Sequence, residues 1–246
     1  MSISMPEQRA LIVGVGGLGC PAALALAEAG VHLTLVDDDE VELTNLHRQV
    51  LFDAADLGAP KLQAAARALA RRGVPSAQLT LVEGRLLPET ALELVNSADV
   101  VLEGVDNFAS KFLAADACHL VGRPLIHGAA LRWQATVWAV SGAGRPCYRC
   151  LFEDLPEGPA ENCDSAGVMG PLVGFAGALM ADLALCVLRG DPGVFGSLLS
   201  YDGLRDRLRA VPVSARPGCP LCGAAPTVSD LTAARYLGSE RCLGAA

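Results

Sequence analysis

The sequence has little basic charge: 19 lysine and arginine residues stand against 27 aspartate and glutamate residues, giving a net charge of −8 and a pI near 5.0. A nucleic-acid-binding surface needs an excess of positive charge, so the composition argues against that class. The chain also has no evident internal repeat, and its first nine residues, MSISMPEQR, are too short and polar for a secretion signal. We therefore expect a cytoplasmic protein that does not bind nucleic acid.

Apolar residues make up 52% of the 246 residues, which is enough for a sizeable core and argues against disorder. This length suits one large domain or two small ones. The nine cysteines are an odd number, and four of them form two Cys-x-x-Cys pairs. Without a secretion signal, this pattern favours metal and thiol chemistry over disulfides.

The stretch LIVGVGGLG, residues 11–19, indicates a strand and a tight glycine turn, and the Ala-rich residues 21–29 indicate a helix. Such a turn lets the backbone approach a phosphate, and the free N–H groups of the helix start face the anion. A second apolar run, 31–36, ends in an aspartate whose carboxylate can accept hydrogen bonds from ribose hydroxyls. The pattern predicts nucleotide binding, with a tight packing turn as the alternative. The candidate residues are Gly14, Gly16, Gly17, Gly19 and Asp37.

The polar stretch that follows, DDEVELTNLHRQVLF, has two interpretations. It is a solvated loop that leads into a helix, or it brings guanidinium and amide donors beside the nucleotide turn, where they can hold phosphate oxygens. The residues in question are Asp39, Asn45, Arg48 and Gln49. Pro60 opens the next predicted helix, and Lys61 in its first turn is either solvated or part of the same phosphate site.

Strands and helices alternate over the first 140 residues, which predicts an α/β protein with a doubly wound sheet. Further strands are predicted at 79–82, 99–102, 125–127 and 135–140, and helices at 60–72, 89–95 and 108–121. Two late strands, 194–199 and 208–213, and a short helix at 231–237 complete the prediction.

The buried strand at 99–102 is followed by EGVDN. Asp106 and Asn107 are therefore expected at the carboxyl end of a parallel strand, where open α/β sheets bind ligands. An acidic residue there can hold Mg²⁺ between phosphates. The alternative is a helix N-cap before residues 108–121, and the two roles are compatible.

Two short-spaced cysteine pairs, each expected on a tight turn, suit a tetrahedral Zn²⁺ bound by four thiolates. The ion would fasten a late segment of the chain onto an earlier one. A redox Cys-x-x-Cys or chance spacing is the alternative. The predicted ligands are Cys147, Cys150, Cys219 and Cys222.

The loop FEDLPEGPAENCDSAG carries Cys163. Exposure would favour a reactive thiol, whereas the neighbouring acids do not favour the thiolate, so the residues alone leave its role open.

Residues 168–188 form the most apolar segment, long enough to raise the question of a membrane span. Interruptions by glycine, proline and Asp182, and the flanking cysteine pairs, argue against a membrane. We expect a buried helix packed closely on the sheet.

In this order, GVGGLG, LVDDDEVELTNLHRQVLF, APK, GVDN, CYRC, ENCDSAGVMGP and CPLC closely resemble the ThiF/MoeB/HesA family of adenylating enzymes. The match runs from about residue 9 to 222. The resemblance implies one domain over 1–246, with a nucleotide-binding half to about 140 and a zinc and crossover-loop half beyond. It implies a Rossmann-like doubly wound mixed sheet with a zinc-stapled C-terminal part, as a homodimer. The implied reaction uses MgATP to adenylate the C-terminal glycine of a ubiquitin-fold sulfur-carrier protein ending in Gly-Gly.

The resemblance also assigns roles to matched positions. The glycines would line the phosphates, Asp37 would hold the ribose, and Asp106 would place Mg²⁺. Cys163 matches the crossover-loop cysteine that some members link covalently to the carrier through sulfur. The residues expected to bind the triphosphate and stabilise the departing pyrophosphate are Asn45, Arg48 and Lys61.

One feature departs from the family. Its members carry an N-terminal helical segment with an RYxRQ-like motif, whose arginine reaches the partner subunit's ATP site, whereas this sequence has MSISMPEQ before the first strand. Another arginine or another protein would then supply that charge, or the chain would bind nucleotide or carrier without turnover. Two further alternatives are adenylation of a peptide or tRNA-linked carboxylate, and an NAD-linked oxidoreductase, which would explain only the glycine turn and Asp37.

Overall fold

The computed structural model describes residues 8–142, 144–156 and 166–236. Over these residues the chain forms one eight-stranded sheet in the order β3-β2-β1-β4-β5-β6-β7-β8. Strands β1 to β5 run parallel to one another. Each of β6, β7 and β8 pairs antiparallel with the strand before it in the chain. The strands are β1 Arg9–Val13, β2 His32–Asp37, β3 Leu79–Glu83, β4 Val100–Glu103, β5 Leu125–Leu131, β6 Gln134–Val140, β7 Ser197–Asp202 and β8 Arg207–Pro212.

Helices cover both faces of this sheet because alternate residues of its central strands point to opposite sides and are apolar on both. One core lies under α1, α2 and α6, and the other lies under α3, α4 and the short α5. The α/β mixed-sheet prediction is thereby confirmed. The helices are α1 Gly19–Glu28, α2 Lys61–Arg71, α3 Pro88–Asn96, α4 Phe108–Val121, α5 Tyr148–Leu151 and α6 Gly170–Leu188.

Helix α6 is long and apolar enough to cross a membrane by length and composition alone. In the structure it packs against α1, β4, β5 and β6, and one of its faces is buried. At Gly177 the helix approaches α1 so closely that a Cβ would collide with Pro21 and the Leu18 carbonyl. This packing agrees with the prediction of a core helix on the sheet.

Strands β5 and β7 differ from their predicted bounds by three or more residues. Strand β5 runs four residues past His127, because the whole of it pairs with β6 in a hairpin. Strand β7 begins at Ser197 rather than residue 194, because Pro192–Val194 is a 3-10 turn whose Gly193 N–H is capped by Asp191.

The predicted helix at 231–237 is wrong over its described part. Residues Ala233–Arg235 form a single 3-10 turn. Asp230 accepts hydrogen bonds from Thr232 N and Oγ1, and Arg235 bonds to the Asp230 carbonyl. These local bonds compete with a regular helix.

Candidate functional site

The glycine turn lies where the sheet order reverses, between the carboxyl ends of β1 and β4. Gly14 has φ +88°, which favours glycine, and its N–H donates to the Val36 carbonyl at 2.9 Å. A Cβ on Gly19 would overlap the Gly14 carbonyl. The turn therefore needs these glycines, and it opens onto the sheet edge where α/β proteins bind nucleotides.

Asp37 supports this turn from β2. Its Oδ2 accepts the Val15 N–H at 2.7 Å, and its Oδ1 accepts the Asp39 N–H at 2.9 Å. Burial raises the pKa of the Asp37 carboxyl, and the nearby Lys61 ammonium opposes that rise. Because each carboxylate oxygen has a second lone pair, Asp37 can brace the turn and still accept ribose hydroxyls.

Lys61 begins α2 beside the same edge. Its Nζ donates to Asp39 Oδ2 at 2.7 Å; the lysine side chain is 6% exposed and the aspartate side chain 60%. The Lys61 N–H also donates to the Asp39 carbonyl at 2.9 Å. A buried ammonium is thus held by a partner that water can reach, so an incoming phosphate can replace or share that partner.

The polar stretch after β2 forms turns, including the 3-10 turns Leu43–Asn45 and Ala54–Asp56. These turns bring Arg48 and Gln49 to the glycine turn. A Cβ on Gly17 would lie 3.3 Å from Arg48 Cγ, and one on Gly16 would lie 3.8 Å from Gln49 Nε2. Asn45 is buried, and its carbonyl accepts the N–H groups of Arg48 and Gln49. Gln49 Oε1 is buried and has no hydrogen-bond partner among the residues that the structure describes.

The loop after β4 presents Asp106 to solvent on the other side of the glycine turn. A Cβ on Gly14 would lie 2.9 Å from Val105 Cγ1, so the loop and the turn are in contact. Asn107 Oδ1 accepts the Ser110 N–H at 2.8 Å and caps α4, as predicted. Its predicted contact with nucleotide stays a prediction.

A buried ionic network behind this loop was not predicted from the sequence. Glu103 Oε1 accepts from Lys111 Nζ at 2.8 Å, and Glu103 Oε2 accepts from His127 Nδ1 at 2.7 Å. Burial by itself raises the pKa of Glu103, but Lys111 and His127 outweigh it and lower that pKa. The available signal was a glutamate that ends the apolar run VVLE, since a buried carboxylate needs a partner.

The four predicted cysteine ligands are buried and their sulfurs lie within 4.8 Å of one another. Three sulfur–sulfur distances are 3.4, 3.5 and 4.0 Å. A tetrahedral ion with metal–thiolate bonds of about 2.3 Å puts its sulfurs about 3.8 Å apart, so the spacing fits such a metal. Burial opposes ionisation of Cys219, but backbone N–H donors and the neighbouring thiols lower its pKa to about 7.

A second buried ion pair, also missed from the sequence, anchors the cysteine cluster to α4. Arg149 Nε and Nη2 donate to the two carboxylate oxygens of Asp116 at 2.8 and 2.9 Å. The Tyr236 hydroxyl donates to the same carboxylate at 2.8 Å. Residues 157–165, which include Cys163, lie outside the described residues.

The fold and this edge are those of doubly wound α/β proteins that bind nucleotides, and four buried cysteines stand at a spacing that could hold a metal ion. The ThiF family model matches residues 4–221, and the chain belongs to the ThiF family.

Two curated relatives and one solved structure illustrate the similarity. The chain is 45% identical over 232 residues to pig "Adenylyltransferase and sulfurtransferase MOCS3", covering 90% of this chain and 49% of that protein. It is 41% identical over 219 residues to Escherichia coli "Sulfur carrier protein ThiS adenylyltransferase", covering 88% and 86%. The crystal structure of E. coli MccB gives a TM-score of 0.76 at 23% identity, covering 89% and 66%, which shows the shared fold. The chain thus spans about half the length of the MOCS3 relative.

Proposed function

We infer that this protein adenylates the C-terminal glycine carboxylate of a ubiquitin-fold sulfur-carrier protein, forming an acyl-adenylate and pyrophosphate from ATP. The observation that carries the proposal is that three segments meet beside the glycine turn at the sheet switch point: Arg48 contacts Gly17, Lys61 pairs with Asp39 just after β2, and the loop that carries Asp106 contacts Gly14 through Val105. The E. coli relative, named as an adenylyltransferase of the carrier ThiS, supports this substrate class.

The reaction requires cations beside the triphosphate and a carboxylate held close to the α-phosphate. A carboxylate that attacks the α-phosphate brings one anion onto another, so cations must neutralise the developing charge. Arg48 and Lys61 would bind the triphosphate and stabilise the departing pyrophosphate, and buried Asn45 would hold the Arg48 turn through its carbonyl. The attacking carboxylate is already ionised, so no general base is needed.

Asp106 fits a Mg²⁺ site because its carboxylate is exposed beside the glycine turn. When bound there, Mg²⁺ would offset phosphate charge. An incoming phosphate would replace Asp39 as the partner of the Lys61 ammonium, and Asp37 would accept hydrogen bonds from the ribose hydroxyls. Asn107 would add an amide donor from the helix cap.

The cysteine cluster has a structural role in this proposal. Four buried thiols at tetrahedral spacing suit Zn²⁺, which would join Cys147 and Cys150 to Cys219 and Cys222. The site contains only thiol ligands and so leaves no open position for substrate. A covalent sulfur link at Cys163 stays a prediction from the family resemblance.

We also propose that two copies associate. Apolar side chains stay exposed in the polar stretch near the nucleotide edge and on α6: Leu43 is 71% exposed, Val50 51% and Phe175 42%. Burying such side chains against a second copy would remove apolar surface from water. Light scattering of the purified chain tests this.

ATP–pyrophosphate exchange with and without sulfur carriers ending in Gly-Gly tests the function. We expect exchange only when a carrier is present, and its loss in Arg48→Ala and Asp106→Ala. ATP binding without exchange for every carrier offered would contradict the proposal and favour a non-catalytic binding protein. If a short peptide supported ATP–pyrophosphate exchange and no carrier did, the substrate would be a peptide carboxylate.

A further inference from the structure

Glu103 is a fully buried carboxylate at the last position of β4, directly before the loop that carries Asp106. It contacts three separate elements. Its Oε1 accepts from Lys111 in α4, its Oε2 accepts from His127 in β5, and Oε1 also accepts the Val105 N–H at 3.1 Å. Lys111 additionally donates to the Gly128 carbonyl at 3.1 Å. The carboxylate therefore ties its own loop to a neighbouring strand and helix.

Asp106 lies between two fixed residues of this loop. On its N-terminal side the Val105 N–H is held by Glu103, and on its C-terminal side the Asn107 side chain caps α4. A single residue between two such anchors has little freedom in φ and ψ. The backbone of Asp106 is therefore fixed before a ligand arrives, so binding at its carboxylate has only side-chain rotamers left to order.

The network is balanced in charge and closed to water. Burial lowers the pKa of His127, so its ring is neutral near pH 7 and donates its Nδ1 proton to Glu103. The single positive charge of Lys111 then matches the single negative charge of Glu103. The rings of Tyr148 and Phe152 lie 5.1 and 5.8 Å from the His127 ring and cover it.

We propose that Glu103 is a positioning residue: through its bond to the Val105 N–H it holds the Asp106 carboxylate where the nucleotide's divalent cation binds. The inference rests on the proposed function only in using Asp106 as the cation ligand. Groups that orient a metal ligand typically contribute 10- to 100-fold to metal affinity.

Two substitutions isolate the oxygen that accepts the Val105 N–H. Glu103→Met keeps about the same length and loses the charge, and it has no oxygen to accept the Val105 N–H. Glu103→Gln also loses the charge, but it keeps the length and an oxygen that accepts the Val105 N–H. Asp116→Asn is the matched control, because Asp116 is an equally buried, ion-paired carboxylate that faces the cysteine cluster.

The first readout is hydrogen exchange of the Val105 amide, which needs no activity. We expect faster exchange in Glu103→Met, with protection retained in Glu103→Gln and in Asp116→Asn. Unchanged exchange in Glu103→Met would overturn the proposed anchor.

The second readout is calorimetric binding of a non-hydrolysable ATP analogue with and without Mg²⁺. We expect Glu103→Met to lose at least tenfold of the Mg²⁺-dependent gain in affinity, and Glu103→Gln to keep it despite a lower Tm. Asp116→Asn should likewise lower Tm and keep the gain. Equal losses in Glu103→Met and Asp116→Asn would reduce Glu103 to a structural residue. If the wild-type protein bound no nucleotide, the proposed function would be contradicted. The hydrogen-exchange result for the Val105 amide would still hold.

Discussion

Lys61 offers the sharpest separation between stability and activity at the scale of single residues. Its ammonium is buried, but its Asp39 partner is exposed and regains water when the lysine is removed. We expect Lys61→Ala to lower the rate of ATP–pyrophosphate exchange by about 10²- to 10³-fold, as is typical for removing one group that stabilises a developing anion. The free energy of unfolding should fall by about 1–2 kcal/mol, because the substitution also removes the packing of the buried lysine stem.

Arg71→Ala is the control for this prediction, since Arg71 is an exposed residue in the last turn of the same helix. It should retain full exchange activity. A Lys61→Ala protein with unchanged exchange kinetics would remove Lys61 from the site.

The candidate residues were predictable where a local signal exists. Gly14 and Gly19 are needed for a tight turn, and Asp37 follows an apolar run, so short-range pattern alone identifies them. Glu103 and Asp116 were not predictable in the same way. Their side-chain partners lie 8 to 120 positions away in the chain, and only the packing of α4 against β5, the cysteine cluster and Tyr236 brings these groups together.

At the scale of elements, the cap of α4 combines two functions that one experiment can separate. Asn107→Ala should lower the free energy of unfolding by about 1 kcal/mol because the Ser110 N–H loses its acceptor. It should also weaken ATP binding. Asn107→Asp should restore stability but not affinity, since it caps the helix with an anion placed close to phosphate. Denaturant unfolding and calorimetry measure the two effects, and full ATP affinity in Asn107→Ala would limit the residue to capping.

The helices followed closely from the sequence, and the antiparallel half of the sheet did so less well. Helix α4 has the predicted bounds because Asp-Asn and Gly122 mark its two ends locally, the latter with φ +79°. Strand β5 continues to Leu131 only because β6 lies alongside it, and β7 starts after a proline turn. Pairing between strands sets those bounds, and pairing is a long-range property.

The cysteine cluster connects distant parts of the whole molecule. We expect about one Zn²⁺ per chain by elemental analysis. Cys150→Ser should lose the metal and lower Tm, because the metal would join the turn around Cys147, which α4 already anchors, to the turn around Cys219, whose described buried apolar residues belong to a small core. Cys186→Ser is the control, as Cys186 is partly exposed and lies outside the cluster. If the wild-type protein had the same Tm with and without bound metal, that result would contradict a structural metal site.

The proposed transfer of AMP to a carrier carboxylate is tested most directly by the intact mass of a Gly-Gly-ended sulfur carrier after incubation with the protein, ATP and Mg²⁺. We expect the mass of the carrier to rise by one adenylyl group. The adduct should be absent with Arg48→Ala and with a carrier that lacks its last glycine. An unmodified carrier, under conditions where the protein binds both ATP and that carrier, would contradict the proposed activity.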